Sequence, residues 1–245
     1  MPERVNITVL YVGSSLLSPL RKAESEINSC CPFAVRVAAY NCGGPIEAGR
    51  WERIEQDLLA SELVFIIHVT DQENANRIIG ALDRIEARGR TVIAFNCMPD
   101  LMRQTRMGRL DFKSLMRPGS DSNGGQGSQV SARSIVRKLG SWMADAFKRG
   151  DTSQEAGRRP DHGHYVRLIG RLPSVLRLVP GAGRLRDVKN YLYLFCYFLQ
   201  PTPNNIRSML LYAIKHYVPG CEVHEKLALP ETLPAEAIYH PDAPG

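Results

Sequence analysis

Residues 63–69, Leu63-Val64-Phe65-Ile66-Ile67-His68-Val69, form the most hydrophobic short stretch of this chain and decide its fold. A nearly continuous apolar run of this length is typical of a strand that is covered on both faces, as in a parallel sheet. The run ends at Thr70-Asp71, and Asp71 can cap a following helix. Apolar residues at helical spacing then indicate the buried face of that helix: Ala75, Ile78, Ile79, Leu82 and Ile85.

Three other stretches have the same strand pattern, at residues 5–12, 33–40 and 91–96. Between them, residues 14–27 have helical spacing, and a further helix is indicated by Trp51, Ile54, Leu58 and Leu59. Parallel strands separated in this way need crossover connections, which are almost always right-handed. We therefore predict an α/β fold with a mainly parallel, four-stranded sheet that resembles a flavodoxin or Rossmann half and has helices on both faces. The strand order is left open by the sequence.

The composition changes after residue 116, and this change suggests the domain organisation. Residues 1–116 are predicted to be the α/β domain, and 117–132 a flexible linker or loop rich in glycine and serine. Residues 133–218 are predicted to be a helical region, and 219–245 an extended connection. Within the helical region we expect helices at residues 134–148 and 168–178, followed by a pair of helices.

The helix pair is predicted at residues 187–200 and 203–218, antiparallel across a Pro-Thr-Pro turn, with Pro203 suited to a first helical turn. The first helix is rich in aromatic residues, a composition that would suit a tetrapyrrole pocket. Aromatic stripes at helical spacing more often fill a protein core, and we prefer that interpretation. In it, one set of residues faces another: Tyr191, Leu194, Phe195, Phe198 and Leu199 against Ile206, Met209, Leu210, Ala213 and Ile214.

The overall charge of +6 and the pI of about 9.1 raise the question of nucleic-acid binding. Basic residues cluster at 133–148 and 158–186, but no aromatic residues are interleaved with them as a stacking platform. We therefore expect no nucleic-acid partner. No apolar run is long enough for a transmembrane helix, and the first residues do not resemble a signal peptide, so we expect a cytoplasmic protein.

The cysteine and histidine spacings do not predict a metal site. The six cysteines, at 30, 31, 42, 97, 196 and 221, form no CxxC pair, and we interpret them as small, reduced, apolar residues. Cys221-x-x-His224 has half of the spacing of a zinc site, without a matching second half. His162-Gly163-His164 lies in a stretch of glycine and arginine where solvated histidines are common.

No catalytic or phosphate-binding residue can be assigned from the sequence. Doubly wound sheets bind ligands beyond the carboxyl ends of their strands, here residues 13–15, 41–44, 70–71 and 96–99. GxGxxG, GxxxxGK[ST] and GxSxG are absent, and Gly181-Ala182-Gly183 follows no suitable strand. His68 is interpreted as a core histidine. Asp71 and Glu73 are expected to complement the positive end of a helix dipole.

Three segments together resemble one family of metal chelatases. Residues 96–112, NCMPDLMR followed by MGRLDF after a short gap, are similar to the "MPE-x-MR…LGSF" run in the amino-terminal domain of the large (H-type) subunit of magnesium chelatase. Residues 187–218 resemble the paired helices that follow in that subunit and in its cobalt-inserting relatives. Residues 239–244, YHPDAP, resemble the "hHPxAP" element that leads into the main body of that protein.

The resemblance implies that this chain is the amino-terminal portion of a porphyrin-binding subunit, a ligase component for chlorophyll or bacteriochlorophyll biosynthesis. The implied partners are the remainder of the large subunit, two AAA+ subunits and protoporphyrin. The complete complex would use ATP and Mg. The residues thought to handle metal and macrocycle belong to the later body, so no catalytic residue is carried over, and we expect this portion to be non-catalytic by itself.

Three alternatives stay open on the sequence alone. The sequence of residues 239–242 is more similar to the corresponding element of the cobalt-inserting relatives. The chain could therefore be the equivalent region of a cobaltochelatase large subunit in cobalamin biosynthesis. A stand-alone, non-enzymatic module that binds a tetrapyrrole or regulates the chelatase is the second alternative. A flavodoxin-like flavin protein is the third, and the missing phosphate loop disfavours it.

Overall fold

A parallel sheet forms the centre of the molecule. The computed structural model of the chain describes residues 4–85, 89–96, 98–115 and 183–231. Four parallel strands lie in the order β2-β1-β3-β4, with β1 at Arg4–Tyr11, β2 at Ala34–Asn41, β3 at Leu63–Ile67 and β4 at Thr91–Phe95. This is the flavodoxin order, in which the direction of winding reverses between β1 and β3. The predicted α/β fold is confirmed.

The sheet is larger than the four strands that the sequence predicts. In the described part of the chain it has six, because β5 (Arg106–Met107) pairs antiparallel with β4, and β6 (Leu110–Asp111) pairs antiparallel with β5. The four-stranded count is therefore corrected to a mixed six-stranded sheet. Strands of two residues are too short to produce an alternating pattern, and this explains why the sequence did not reveal them.

Seven helices lie in the described residues: α1 at Leu17–Cys30, α2 at Ala48–Ala60, α3 at Gln72–Ile85, α4 at Pro99–Met102, α5 at Phe112–Leu115, α6 at Gly183–Leu199 and α7 at Pro203–Tyr217. The predicted cap of α3 is confirmed, because the Asp71 carboxylate accepts a hydrogen bond from the backbone N–H of Asn74 at 2.8 Å. Pro203 occupies the first turn of α7, also as predicted.

Both faces of the sheet carry helices. Because crossovers between parallel strands are right-handed in nearly all proteins, the strand order assigns α1 to one face and the pair α2 and α3 to the other. Helix α7 packs against α1, and α6 packs on β4. The strands and both later helices share one continuous hydrophobic core. No helix in the described ranges is long and apolar enough to cross a membrane.

The orientation of α6 differs from the predicted helix pair. Tyr191, Phe195 and Phe198 were expected to face α7, but their rings contact Phe95 of β4, with centroids 5.5, 5.5 and 5.3 Å away. Ring contacts with α7 are made by Tyr193 and Tyr197, whose rings lie 5.8 and 6.1 Å from that of Tyr212. Because α6 is buried on nearly every side, its apolar spacing could not indicate which face meets the sheet.

Several expectations lie outside the described residues. They are the linker at 117–132, the helices at 134–148 and 168–178, the two histidines at 162 and 164, and the element at 239–244. The boundaries of the proposed domains therefore stay predictions.

Candidate functional site

The first candidate site is the carboxyl edge of the parallel strands, where ligands bind in doubly wound sheets. The loops after β1 and β3 lie side by side at the point where the winding reverses. Gly13, with a φ of 106°, turns the chain after β1. The loop after β2 is held beside it, because the Asn41 side chain donates to the carbonyl of Gly13 at 3.0 Å and accepts from the N–H of Gly43 at 2.9 Å.

Two buried amides organise the other loops of this edge. The side-chain nitrogen of Asn74 donates to the carbonyls of Cys42 and Gly44, both at 3.1 Å. The Asn96 side chain donates to the carbonyl of Val69 at 2.9 Å and accepts from the N–H of Met98 at 2.9 Å. These amide donors are directed at backbone carbonyls, so their role is to fix the loops. The sequence singled out the loops but not Asn74, which sits among apolar positions on the buried face of α3.

His68 is the one non-glycine residue of the described chain with a positive φ, at 56°. The sequence predicts a core histidine inside a strand, but β3 ends one residue earlier and His68 is half-buried at the carboxyl edge. Its ring lies 5.7 Å from that of Phe198, and burial lowers its pKa. A left-handed backbone at a non-glycine residue costs free energy and is common at functional positions.

We predict different tolerances for two substitutions that both remove the His68 ring. Asparagine adopts the left-handed region more readily than other residues, whereas valine is strongly disfavoured there. His68→Val should therefore lower the free energy of unfolding by about 1–2 kcal/mol more than His68→Asn. Urea denaturation of the two variants measures this difference. Equal stabilities would show that the backbone at His68 is not strained in solution.

The other described residues singled out in the sequence are Glu73, Cys221 and His224, of which Glu73 and His224 lie beside charged side chains. Glu73 is exposed and pairs with Arg77 at 2.9 Å, one helical turn away. Cys221 is buried, whereas the exposed imidazole of His224 lies 3.5 Å from the carboxylate of Glu222. Among the described residues, no group of three His, Cys, Asp or Glu side chains could hold a metal ion. Cys42, Cys196 and Cys221 are buried, as their interpretation as apolar residues requires.

The second candidate site joins the β5–β6 turn to α6, and no sequence pattern indicated it. Asp187 is fully buried, and its carboxylate accepts a hydrogen bond from the backbone N–H of Arg109 at 2.8 Å. It accepts a second from the hydroxyl of Tyr217 at 3.0 Å. The Tyr217 oxygen in turn accepts from the Asn190 side chain at 2.9 Å. We call Gly108, Arg109, Asp187, Asn190 and Tyr217 the hairpin clamp.

The lack of a side chain at Gly108 allows the β5–β6 turn to approach the carboxylate of Asp187 closely. Its φ is 58°, and a Cβ at this position would lie 2.6 Å from an oxygen of Asp187. Burial, together with the hydrogen bond to Asp187, raises the pKa of Tyr217, so its hydroxyl stays a donor. The buried carboxylate therefore has partners on both oxygens, as a buried charge requires.

Tyr191 makes a second connection between the same two segments. Its hydroxyl donates to the carbonyl of Ala94 at 2.7 Å and lies 3.8 Å from the sulfur of Met102. Its ring lies 5.2 Å from that of Phe112. Residues 96–112 and 187–218, which carry two parts of the family resemblance, thus contact each other through the hairpin clamp and Tyr191.

Both candidate sites are organised chiefly by hydrogen bonds within the protein. At the carboxyl edge the amides bind loop carbonyls, and in the hairpin clamp the carboxylate binds a backbone N–H and a phenol. These contacts fix the relative positions of loops and helices. In the hairpin clamp, the buried Asp187 carboxylate and the Tyr217 hydroxyl bind each other, so these groups hold the segments together.

Comparisons with known proteins agree with the resemblance found in the sequence. The chain is 26% identical to the magnesium-chelatase H subunit of Chlorobaculum parvum over 184 residues, which is 75% of the chain and 12% of that protein. It is 22% identical to the corresponding protein of Rhodobacter capsulatus over an alignment of 250 positions, covering 100% of the chain and 18% of that protein. It is 23% identical to the magnesium-chelatase H subunit of Cereibacter sphaeroides over 189 residues, which is 77% of the chain and 13% of that protein. The predicted similarity to the large subunit of magnesium chelatase is confirmed.

The chain spans less than a fifth of the length of each of these relatives. A family model described as a domain of unknown function matches residues 6–192, which include nearly all of the parallel sheet, the β5–β6 turn and the first half of α6. Because this match covers well over half of the sequence, the chain belongs to the family of that domain, DUF3479.

Proposed function

We propose that this chain is the amino-terminal portion of the porphyrin-binding large subunit of an ATP-dependent magnesium chelatase. The enzyme would insert Mg²⁺ into protoporphyrin IX in chlorophyll or bacteriochlorophyll biosynthesis, and it would work in the cytoplasm. The observation that carries the proposal is the similarity along the chain to three proteins named as the H subunit of magnesium chelatase. The metal ion and the macrocycle are substrates of this reaction.

Within that enzyme we assign a supporting, non-catalytic role to this portion. Mg²⁺ gives up its water ligands reluctantly, and the macrocycle is rigid, so insertion needs a site that holds both in place while ATP is hydrolysed. We assign ATP hydrolysis to two AAA+ partner subunits. The segments that resemble the family form the hairpin clamp, whose polar groups bind one another and hold the sheet to α6 and α7. This favours a rigid scaffold that positions the rest of the large subunit.

A reconstituted chelatase assay tests the proposal. The isolated chain, incubated with protoporphyrin, Mg²⁺, ATP and the two AAA+ subunits, should give no fluorescence from metallated product. The body of a related large subunit should metallate porphyrin faster when joined to this chain than when added without it. Metallation by the isolated chain would contradict the non-catalytic role, and equal rates with and without the chain would contradict the scaffold role.

An assay of cobalt insertion and a titration with protoporphyrin distinguish the alternative functions. Cobalt insertion into a corrinoid precursor by the joined protein, without magnesium insertion, would favour the cobaltochelatase assignment. Saturable quenching of tryptophan fluorescence by protoporphyrin, with no effect of the chain on the chelatase rate, would favour a separate tetrapyrrole-binding module. Flavin absorbance in the purified chain would favour a flavodoxin-like protein.

A further inference from the structure

Two adjacent cysteines lie together at the end of α1. Cys30 is the last residue of the helix, and Cys31 follows it with an extended backbone, φ −97° and ψ 154°. Their sulfur atoms are 3.7 Å apart. Cys30 is exposed and Cys31 is half-buried, and both are free thiols, so this pair differs from the buried Cys42, Cys196 and Cys221 in its access to solvent. A reagent in solvent can reach Cys30, whose sulfur lies next to that of Cys31.

An arginine from α7 is directed at the exposed sulfur. The Nη2 atom of Arg207 lies 3.2 Å from the Sγ of Cys30, across 177 residues of sequence. The guanidinium is held in position by both carboxylate oxygens of Glu225, at 2.8 and 2.7 Å. Its Nε lies 3.7 Å from Glu26 of α1. The donor at Cys30 is thus fixed by contacts with α1 and with the segment after α7.

The two sulfur atoms lie in different surroundings, because Cys30 is exposed beside Arg207 and Cys31 is half-buried. A charged N–H donor interacts more strongly with a thiolate than with a thiol, and the thiolate is the nucleophilic form. Burial, the hydrogen bond with Cys30 and the proximity of Cys30 raise the pKa of Cys31 to about 11, so Cys31 keeps its proton. The buried Cys42 and Cys196 lack such access, and burial raises their pKa values to about 11 and about 12.

We propose that Cys30 and Cys31 form a peroxide-sensitive dithiol, in which Cys30 is the attacking sulfur and Cys31 the resolving one. The Cys30 thiolate attacks a hydroperoxide, an S–O bond forms as the O–O bond breaks, and an alcohol or water leaves after protonation. The Cys31 thiol then attacks the sulfenic acid, an S–S bond forms, and the sulfenic oxygen leaves as water with the Cys31 proton. Two sulfur atoms are each oxidised by one electron, and the peroxide takes up both electrons.

The geometry favours a reversible product. The sulfur atoms must approach from 3.7 Å to about 2.05 Å, and the extended backbone at Cys31 lies outside the helix. Adjacent Cα atoms are about 3.8 Å apart, which is shorter than the usual span of a disulfide. Strained and exposed disulfides are easily reduced, and this is the behaviour of regulatory rather than structural bonds. The proposal is independent of the chelatase assignment.

Peptide mass spectrometry of the full chain tests the proposal. Cleavage after Lys22 and Arg36 gives a peptide, residues 23–36, that contains both cysteines and no others. After brief treatment with hydrogen peroxide, this peptide should lose the mass of two hydrogen atoms and resist alkylation, and dithiothreitol should restore it. Cys31→Ser should instead accumulate a sulfenic acid at Cys30 that dimedone traps. Arg207→Gln should slow the oxidation of Cys30 by about tenfold, the range expected for loss of one charge-assisted hydrogen bond.

Three variants serve as controls. Cys42→Ser removes a buried thiol and should leave the reaction unchanged, whereas Cys30→Ser should abolish it. Circular dichroism before and after mutation shows whether Arg207→Gln keeps the fold, and Arg207→Lys, which keeps the charge, should restore part of the rate. Oxidation of Cys30 no faster than that of Cys42, disulfides only between molecules, or an unchanged rate in folded Arg207→Gln would each overturn the proposal.

Discussion

Replacing Phe95 by alanine should lower the free energy of unfolding by about 3–5 kcal/mol, the range for a fully buried phenylalanine. Phe95 ends β4 with no exposed surface, and its ring contacts three rings of α6 at 5.3 to 5.5 Å. A fourth contact, with Phe65 of β3, has a centroid distance of 6.5 Å. The cavity left by the substitution would lie between the sheet and α6, so the loss of packing should also loosen that helix. Urea denaturation measures the stability, and hydrogen exchange of α6 measures the loosening.

Leu59→Ala is a matched control for this experiment. Leu59 lies in α2 and is 40% exposed, so its truncation should change the stability by no more than about 0.5 kcal/mol. If Phe95→Ala were equally mild, the aromatic contacts between the sheet and α6 would not hold the fold together. If hydrogen exchange in Phe95→Ala increased only in α2 and α3, α6 would be stabilised by contacts other than those with Phe95.

The Gly108→Ala substitution should destabilise the chain by about 3 kcal/mol or more, because two effects add. The left-handed backbone at Gly108 disfavours any side chain, and the new Cβ would lie 2.6 Å from the buried carboxylate of Asp187. Relieving that collision would move the turn and weaken the hydrogen bond from Arg109 to Asp187. A buried carboxylate that loses a partner is costly. Thermal and urea unfolding measure the change.

Gly89→Ala separates the two effects. Gly89 also has a positive φ, 65°, but a Cβ there would meet no atom within 4 Å. Its replacement by alanine should cost only the free energy of placing a side chain on a left-handed backbone, about 1–2 kcal/mol. The difference between the two glycine variants therefore measures the close approach of the turn to Asp187. Equal losses would mean that the hairpin clamp adjusts to the extra methyl group without a penalty.

The sequence predicts the parts of this fold that have long, regular patterns. All four parallel strands and the helices between them follow from apolar runs and helical spacing, and the cap at Asp71 follows from its position before α3. The family resemblance came from short motifs and is confirmed by the comparisons. The carboxyl-edge loops were also located, because the strands that precede them were correctly placed.

The features of the fold that the sequence did not predict depend on contacts between residues far apart in the chain. The strands β5 and β6 have two residues each and depend on the turn at Gly108. The sheet-facing side of α6 could not be read from a helix that is apolar nearly all round. Asp187 looked like the start of a helix, and its role as a buried acceptor exists only because Arg109 and Tyr217 meet it in the folded chain.

The contact between Gly108 and Asp187 also constrains which residues fit at two distant positions. A larger residue at position 108 should be better tolerated where position 187 carries a smaller side chain or lies farther away. The turn and the helix should therefore vary as a pair across related chains, and a relative in which either one changed alone would have to hold its β5–β6 turn in some other way.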